Sequence, residues 1–407
     1  MGWSHISLLR RESVMKKLSL LVFALALIFS SAAMAAEQYV AGGFEASGHV
    51  VTGAGGQKYS KNATGIPWMT DGDTVTYQGV MGKYLNLPSN GNMTRFAFFV
   101  DEVELDLMKS FGENIRLRAD LDFGRVASSG AGTVAAGFVL EQAYATANIP
   151  LGNGLEVLLG RFNAPMGLES VDVNDNDTIS KSIIVRGLRP ANMTGIKLYY
   201  EFSDAIDLHF YVVNSLLQDN SIQVKDVPSL GFRLGYNWGE MDTESTVGLS
   251  AFFGPEAQNA TNRHYTFGGD LDLNWWITES FALGLEALFT RNNAPVAGQS
   301  NVHYMAGLLN LHYAFSDTWD GTLKYCYAKQ FKVGAVGVAS DLMHLNAPLV
   351  TIPVATAAQV HEISLAGNYY VADGAAVKME GRFDIVMPKT LPKYYDYGLA
   401  MAFAYEF

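Results

Sequence analysis

The residues best suited to chemistry are charged side chains set two apart. Arg116, Arg118, Asp120 and Asp122 follow one another at alternate positions, and so do Lys378, Glu380, Arg382 and Asp384. Spacing by two puts each set on one face of a strand. Such a face can line a water-filled passage and act on ions, or its charges can pair along the wall and hold strand register. Arg233, Asp270 and Asp272 occupy comparable positions elsewhere. Covalent chemistry finds little support. No G-x-S-x-G or H-E-x-x-H occurs, the histidines are scattered, and His209 and His312 are expected to be lumen residues. The run Asp172-Val-Asn-Asp-Asn-Asp177 is calcium-like in composition. It carries Asp177 and Ile183 where an EF-hand loop needs Gly and Glu. No enzyme, cofactor or metal centre is therefore expected. The single cysteine, Cys326, cannot close an intrachain disulfide.

The elements that carry these charges alternate strictly. Tyr395, Tyr397, Leu399, Met401, Phe403, Tyr405 and Phe407 share one face, with Asp396, Gly398, Ala400, Ala402, Ala404 and Glu406 on the other. Ile115, Leu117, Ala119, Leu121 and Phe123 alternate with the first charged set, and Val377, Met379, Phe383 and Ile385 with the second. A soluble barrel would have to bury the charged face. A membrane barrel turns the apolar face to lipid and the charged face to a wet lumen.

Composition agrees. The 407 residues are 49% hydrophobic but only 17% charged, with 12% aromatic residues and 40 Gly. A soluble domain averages roughly 25% charge. The richest apolar stretch, Leu18–Phe29, is far shorter than the ~20 residues of a spanning helix. With Met15-Lys16-Lys17 before it and Ala33-Met34-Ala35 after, it reads as a signal peptide cleaved after Ala35, with residues 1–14 an upstream mis-start or a long basic region. The formal net charge of −12 leaves no footprint for nucleic acid.

Residues 36–407 are expected to form one all-β domain, a transmembrane antiparallel β-barrel of about sixteen strands. These are placed at 39–52, 93–109, 114–126, 137–149, 154–163, 192–203, 205–216, 227–239, 243–254, 264–277, 280–291, 301–315, 318–331, 358–371, 374–386 and 394–407. Short turns alternate with longer connections, notably 53–92, 164–191 and 332–357, as periplasmic turns and external loops do. Tyr199-Tyr200, Trp238, Trp275-Trp276, Trp319 and Tyr369-Tyr370 stand beside the short turns, where an interfacial girdle belongs. The alternation changes phase in 93–109, which calls for a bulge near Asp101-Glu102. Strand 154–163 is apolar on both faces, which suits a folded-in loop or a subunit contact.

The middle of the chain resembles the β-barrel porin family called OmpL-like, of the Gram-negative outer membrane. The run Glu141-Gln-Ala-Tyr144, then Gly160-Arg-Phe-Asn-Ala-Pro-Met-Gly-Leu-Glu169, then Pro190, Thr194-Gly195 and Val212-Val-Asn214 carries the likeness. It implies a fold and a channel role, with no active site. It also implies that segment 164–191, the third long connection, folds inward as a constriction. Its acids Glu169, Asp172, Asp175 and Asp177 would then face Arg116 and Arg118 across the pore. The acidic surplus among inward positions predicts a cation preference, and the terminal Phe403, Tyr405 and Phe407 resemble an insertion signal read by the barrel-assembly machinery. The expected role is passive diffusion of small hydrophilic solutes across outer-membrane lipid, with a homotrimer as a possible assembly. A sugar-selective channel with Tyr211, Trp276 and Tyr370 as a stacking track is the alternative, followed by a barrel adhesin or enzyme using its external loops.

Overall fold

The computed structural model describes residues 39–41, 44–59, 94–128, 134–216, 227–240, 243–255, 265–292, 302–331, 358–388 and 393–407. The expected signal peptide lies outside the described residues, as do most of connection 53–92 and all of 332–357.

Among the described residues the strands are β1 (Tyr39–Ala41), β2 (Phe44–Tyr59), β3 (Thr94–Phe111), β4 (Ile115–Ser128), β5 (Val134–Ile149), β6 (Leu155–Asn163), β7 (Asn192–Ser203), β8 (Ile206–Val213), β9 (Ser229–Trp238), β10 (Ser245–Pro255), β11 (Tyr265–Thr278), β12 (Phe281–Asn292), β13 (Val302–Ser316), β14 (Trp319–Gln330), β15 (Ala358–Ala372), β16 (Ala375–Pro388) and β17 (Tyr394–Glu406). Each strand from β2 to β17 pairs antiparallel with its sequence neighbours, and β17 pairs with β2. Sixteen strands thus close a ring with no free edge, as backbone in lipid requires. At the seam, Gly48 and Phe407 exchange both backbone hydrogen bonds, at 3.0 and 2.9 Å.

The first strand starts later than its pattern predicts. Residues 39–41 fold back on β2, with Tyr39 opposite Ala46, and β2 runs on through 53–59, which alternation had left in a loop. That stretch, Gly53-Ala-Gly-Gly-Gln57, carries no large side chain to reveal a period.

Burial follows the two faces. On β17, Leu399, Met401 and Phe403 are exposed while Ala400, Ala402 and Ala404 are buried. The inward positions of β16, Lys378, Glu380, Arg382 and Asp384, are all buried as well. They are covered from inside the ring.

Among the register shifts in the ladders, two place acidic side chains in the lumen. The β2–β3 register passes from Val51–Glu102 to Thr52–Val100, so Asp101 is the extra residue, where the phase change required it. The β4–β5 register passes from Asp120–Gln142 to Leu121–Leu140, so Glu141 is extra. A bulge turns two successive side chains toward the same side. Asp101 with Glu102, and Glu141 with Gln142, are buried together in the lumen.

Candidate functional site

Segment 164–191 enters and leaves through a pinched neck, where Ala164 N donates to Ala191 O at 2.6 Å. Between these ends it holds one π-helical turn, Ile184–Leu188, and otherwise irregular backbone. Irregular backbone away from water must find partners for its amides and carbonyls. The inward side chains of the barrel supply them. Wall carboxylates accept from the segment's amides: Glu286 from Leu168, Glu102 from Val173, Glu380 from Ser180 and Glu362 from Ile183, at 2.7–2.9 Å. Wall cations donate to its carbonyls. Lys378 Nζ reaches Val173 O, Asn174 O and Asn176 O, and Lys324 Nζ reaches Ser180 O at 2.5 Å. Arg382 donates to Ser180 Oγ and Lys181 O. The segment thus lies inside the ring, fastened to strands as far apart around it as β3, through Glu102, and β12, through Glu286.

Apolar packing fastens the other limb. Ile183, Ile184 and Leu188 join Leu158 and Phe162 of β6, Tyr211 of β8, Leu288 of β12 and Cys326 of β14 in one buried cluster. This explains why β6 is apolar on both faces. Its outward face keeps Leu159 exposed, and its inward face packs on the folded-in segment.

The segment's four acids go to different places. Glu169 Oε1 accepts from Lys324 Nζ at 2.6 Å. Burial alone would raise its carboxyl, but the Lys324 ammonium holds it below the ordinary value. Asp177 lies 3.4 Å from the His312 ring and accepts from Asn310 at 2.9 Å; these partners outweigh burial and hold it low too. Asp175 is exposed and accepts from Ser170 Oγ. Asp172 points toward Glu104 and Glu141, and burial followed by the charge of Glu102 pushes it up to about 7. Asn176 closes the run by bonding to Ser170 O and Asp172 O, so its acids diverge and do not converge as in an EF-hand loop.

The predicted opposition of these acids to Arg116 and Arg118 is therefore corrected. Arg118 is taken by Asp120, at 2.7 and 2.9 Å, and lies 3.6 Å from Asp106. Arg116 is exposed one residue from the start of β4. The pairing reading holds for several wall charges, with the partners specified by the structure: Arg118 with Asp120, Arg382 with Asp384 and Glu362, and Arg233 with Asp272 at 2.6 Å. Asp122 and Asp270 are buried on the inward face. The proposed stacking track does not assemble. Tyr211 is fully buried in the apolar cluster, Trp276 meets His312 edge-on, and Tyr370 donates to Asp320. Phe403, Tyr405 and Phe407 stack in succession along β17 and its end.

Comparison with known proteins adds the family. Residues 86–397 match the profile described as "Putative beta-barrel porin-2, OmpL-like". The chain belongs to this family. Similar solved structures include the outer membrane channel DcaP of Acinetobacter baumannii, with 13% identity, a TM-score of 0.59, and 91% of this chain and 99% of that one covered. An anion-selective porin from Comamonas acidovorans gives 12% identity and a TM-score of 0.56 over 89% and 100% of the two chains. OprB of Pseudomonas putida gives 11% and 0.50 over 88% and 94%. At such identities these likenesses concern the fold. No curated protein matches. Family and fold together make the chain a porin-type channel protein of the bacterial outer membrane.

Proposed function

We propose that this porin is a passive diffusion channel for small hydrophilic solutes, with segment 164–191 as its constriction and a preference for cations. The observation that carries the reading is the fastening of that segment across the ring by charged wall residues, described above. A segment held so narrows the passage without closing the barrel wall. The cation preference is supported by the acidic wall opposite Asp172, where Glu102, Glu104, Asp122 and Glu141 are buried close to a few cations. Rings of carboxylate favour the entry of positive ions. The anion selectivity named for the Comamonas porin is a property of that protein.

Planar-bilayer recordings in a KCl gradient test the proposal. A reversal potential on the potassium side is expected, and one on the chloride side overturns the preference. Liposome swelling with small sugars tests the pore itself, since an adhesin or a closed-barrel enzyme gives no swelling. A homotrimer joined through part of the apolar outer band belongs to the same proposal, and crosslinking in detergent tests it. Phe403, Tyr405 and Phe407 are proposed as the signal read by the assembly machinery.

A further inference from the structure

Three carboxylates from three separate segments meet where the crossing segment touches the β3–β5 wall. Glu104 stands on β3, Glu141 on β5 and Asp172 in the segment, and one oxygen of each lies within 4.8 Å of the others. That span is about twice a calcium–oxygen bond of ~2.4 Å, so a single ion can touch all three. A cluster of acids alone would say little. Here Glu104 is only 3% exposed, and its Oε2 has no hydrogen-bond partner. Oδ1 of Asp172 is buried without one too. Buried carboxylate oxygens without donors are costly, and a cation is what removes the cost. Lys181 adds positive charge near Glu141 and Asp172, and Asn163 donates to Glu141 Oε1 at 3.0 Å, while the contacts of the neighbouring cations include other acids. Arg118 is held by Asp120, His49 Nε2 lies 2.9 Å from Glu102, and Lys181 Nζ lies 3.9 Å from Glu102. The bulge at Glu141 brings an extra carboxylate into this place, and bulges serve to re-aim side chains.

The geometry points to a divalent-cation site formed by Glu104, Glu141 and Asp172, with calcium preferred to magnesium. All three ligands are hard oxygens, which exclude soft metals. They come from a regular strand position, a bulge and a loop. Calcium accepts such irregular sets with water completing the shell, whereas magnesium demands a near-ideal octahedron. The ion ties the Asp172 limb of the crossing segment to the wall and cancels part of the negative charge there. Given the channel reading, calcium then lowers the preference for monovalent cations.

Calorimetric titration of the folded full chain in detergent with calcium chloride tests the site. One saturable site per chain is expected, with a Kd on the order of 10⁻⁴–10⁻³ M, the range of extracellular calcium modules. Glu104→Gln and Asp172→Asn should each weaken binding at least about tenfold. Asp175→Asn, at an exposed carboxylate three residues along the same segment, should leave it unchanged. Heat-modifiable migration on gels confirms folding, and if Glu104→Gln does not fold, Asp172→Asn decides alone. Absence of a saturable site, or equal affinity in the wild type and Asp172→Asn, overturns the proposal. The binding is read by heat, so a chain that binds calcium but passes no ions would sink the channel reading and leave this one standing.

Discussion

Lys324 on β14 and Glu169 on the crossing segment form an ion pair at 2.6 Å, although 155 residues separate them. Both are buried, and the same ammonium also takes Thr178 Oγ1 and Ser180 O. One side chain thus fixes three points of the segment. Removing one partner of a buried pair leaves the other charge unsatisfied and costs about 3–5 kcal/mol. Lys324→Met should lower the thermal midpoint of the barrel and free the segment. In bilayers the variant is expected to show larger and noisier single-channel currents. Conductance identical to the wild type would mean that this pair does not position the constriction.

The pH response follows from the same anchors. Glu169 and Asp177 are held below their ordinary values by Lys324 and His312 against the opposing effect of burial. A carboxyl whose pKa is lowered by folding stabilises the folded arrangement above its free value, about 4, and loses that contribution as pH falls through the lowered value. The contribution of these two anchors to the thermal midpoint should therefore be lost only below about pH 4, whereas Asp172, pushed up to about 7, titrates in the neutral range and is a separate source of change there. Asp177→Asn should reduce the acid-side change. An acid-side change of full size in that variant would show that Asp177 is not one of the groups responsible.

Shortening the segment tests the same geometry without charge chemistry. Replacing 172–182 by a short Gly-Ser link removes the part held by Glu102, Lys378, Glu380 and Arg382 while keeping the Ala164–Ala191 neck. Single-channel conductance is expected to rise at least about twofold, because the narrowest section of a pore dominates its resistance. Unchanged conductance would remove the constriction role.

Alternation made the ring legible in the sequence, and it also explains what stayed hidden. Each strand with large side chains on one face, such as Tyr395–Phe407, declares its orientation because lipid accepts only one of its faces. The Gly-rich stretch 53–57 has no such face, so the extension of β2 left no signal. The phase change at Asp101 gave one bulge away. The bulge at Glu141 is masked by the small residues Ala143 and Ala145 that follow it. The charges facing the lumen were readable, but their partners were not. Arg118 finds Asp120 on its own strand, and the acids expected opposite it find Lys324, Asn310 and Glu104 instead. The contacts of the segment's acids join residues up to 155 positions apart, and no local spacing records them.

Cys326 offers a probe of whether the crossing segment stays in place. It is 1% exposed within the cluster that includes Ile184 and Leu188. A maleimide should fail to label it in the folded barrel and label it fully after heating in detergent. Ile184→Asp puts an unpaired charge into this cluster and should expel that limb, making Cys326 reactive while the barrel remains heat-modifiable. Labelling of the unaltered folded chain would show that the limb opens by itself.

Gly160 separates steric from conformational demands on the ladder. Its φ of 144° is a region that side chains rarely enter, and an added Cβ would come within 2.2 Å of Ala143 O and 2.6 Å of Tyr144 Cα. Both atoms are backbone of the paired strand β5, so relief requires β5 and β6 to part. Gly112 has a positive φ of 63° but open space around it, and Gly269 has ordinary backbone with its nearest neighbour at 3.5 Å. Substitution by Ala at the three sites should rank accordingly. Gly269→Ala should be close to neutral. Gly112→Ala should cost about 1 kcal/mol, the strain of a left-handed residue. Gly160→Ala should cost clearly more than that, because strain and collision add. Urea unfolding in detergent, followed by tryptophan fluorescence, measures the order. Equal effects at Gly112 and Gly160 would mean that the close approach of β5 to β6 is not required for the fold.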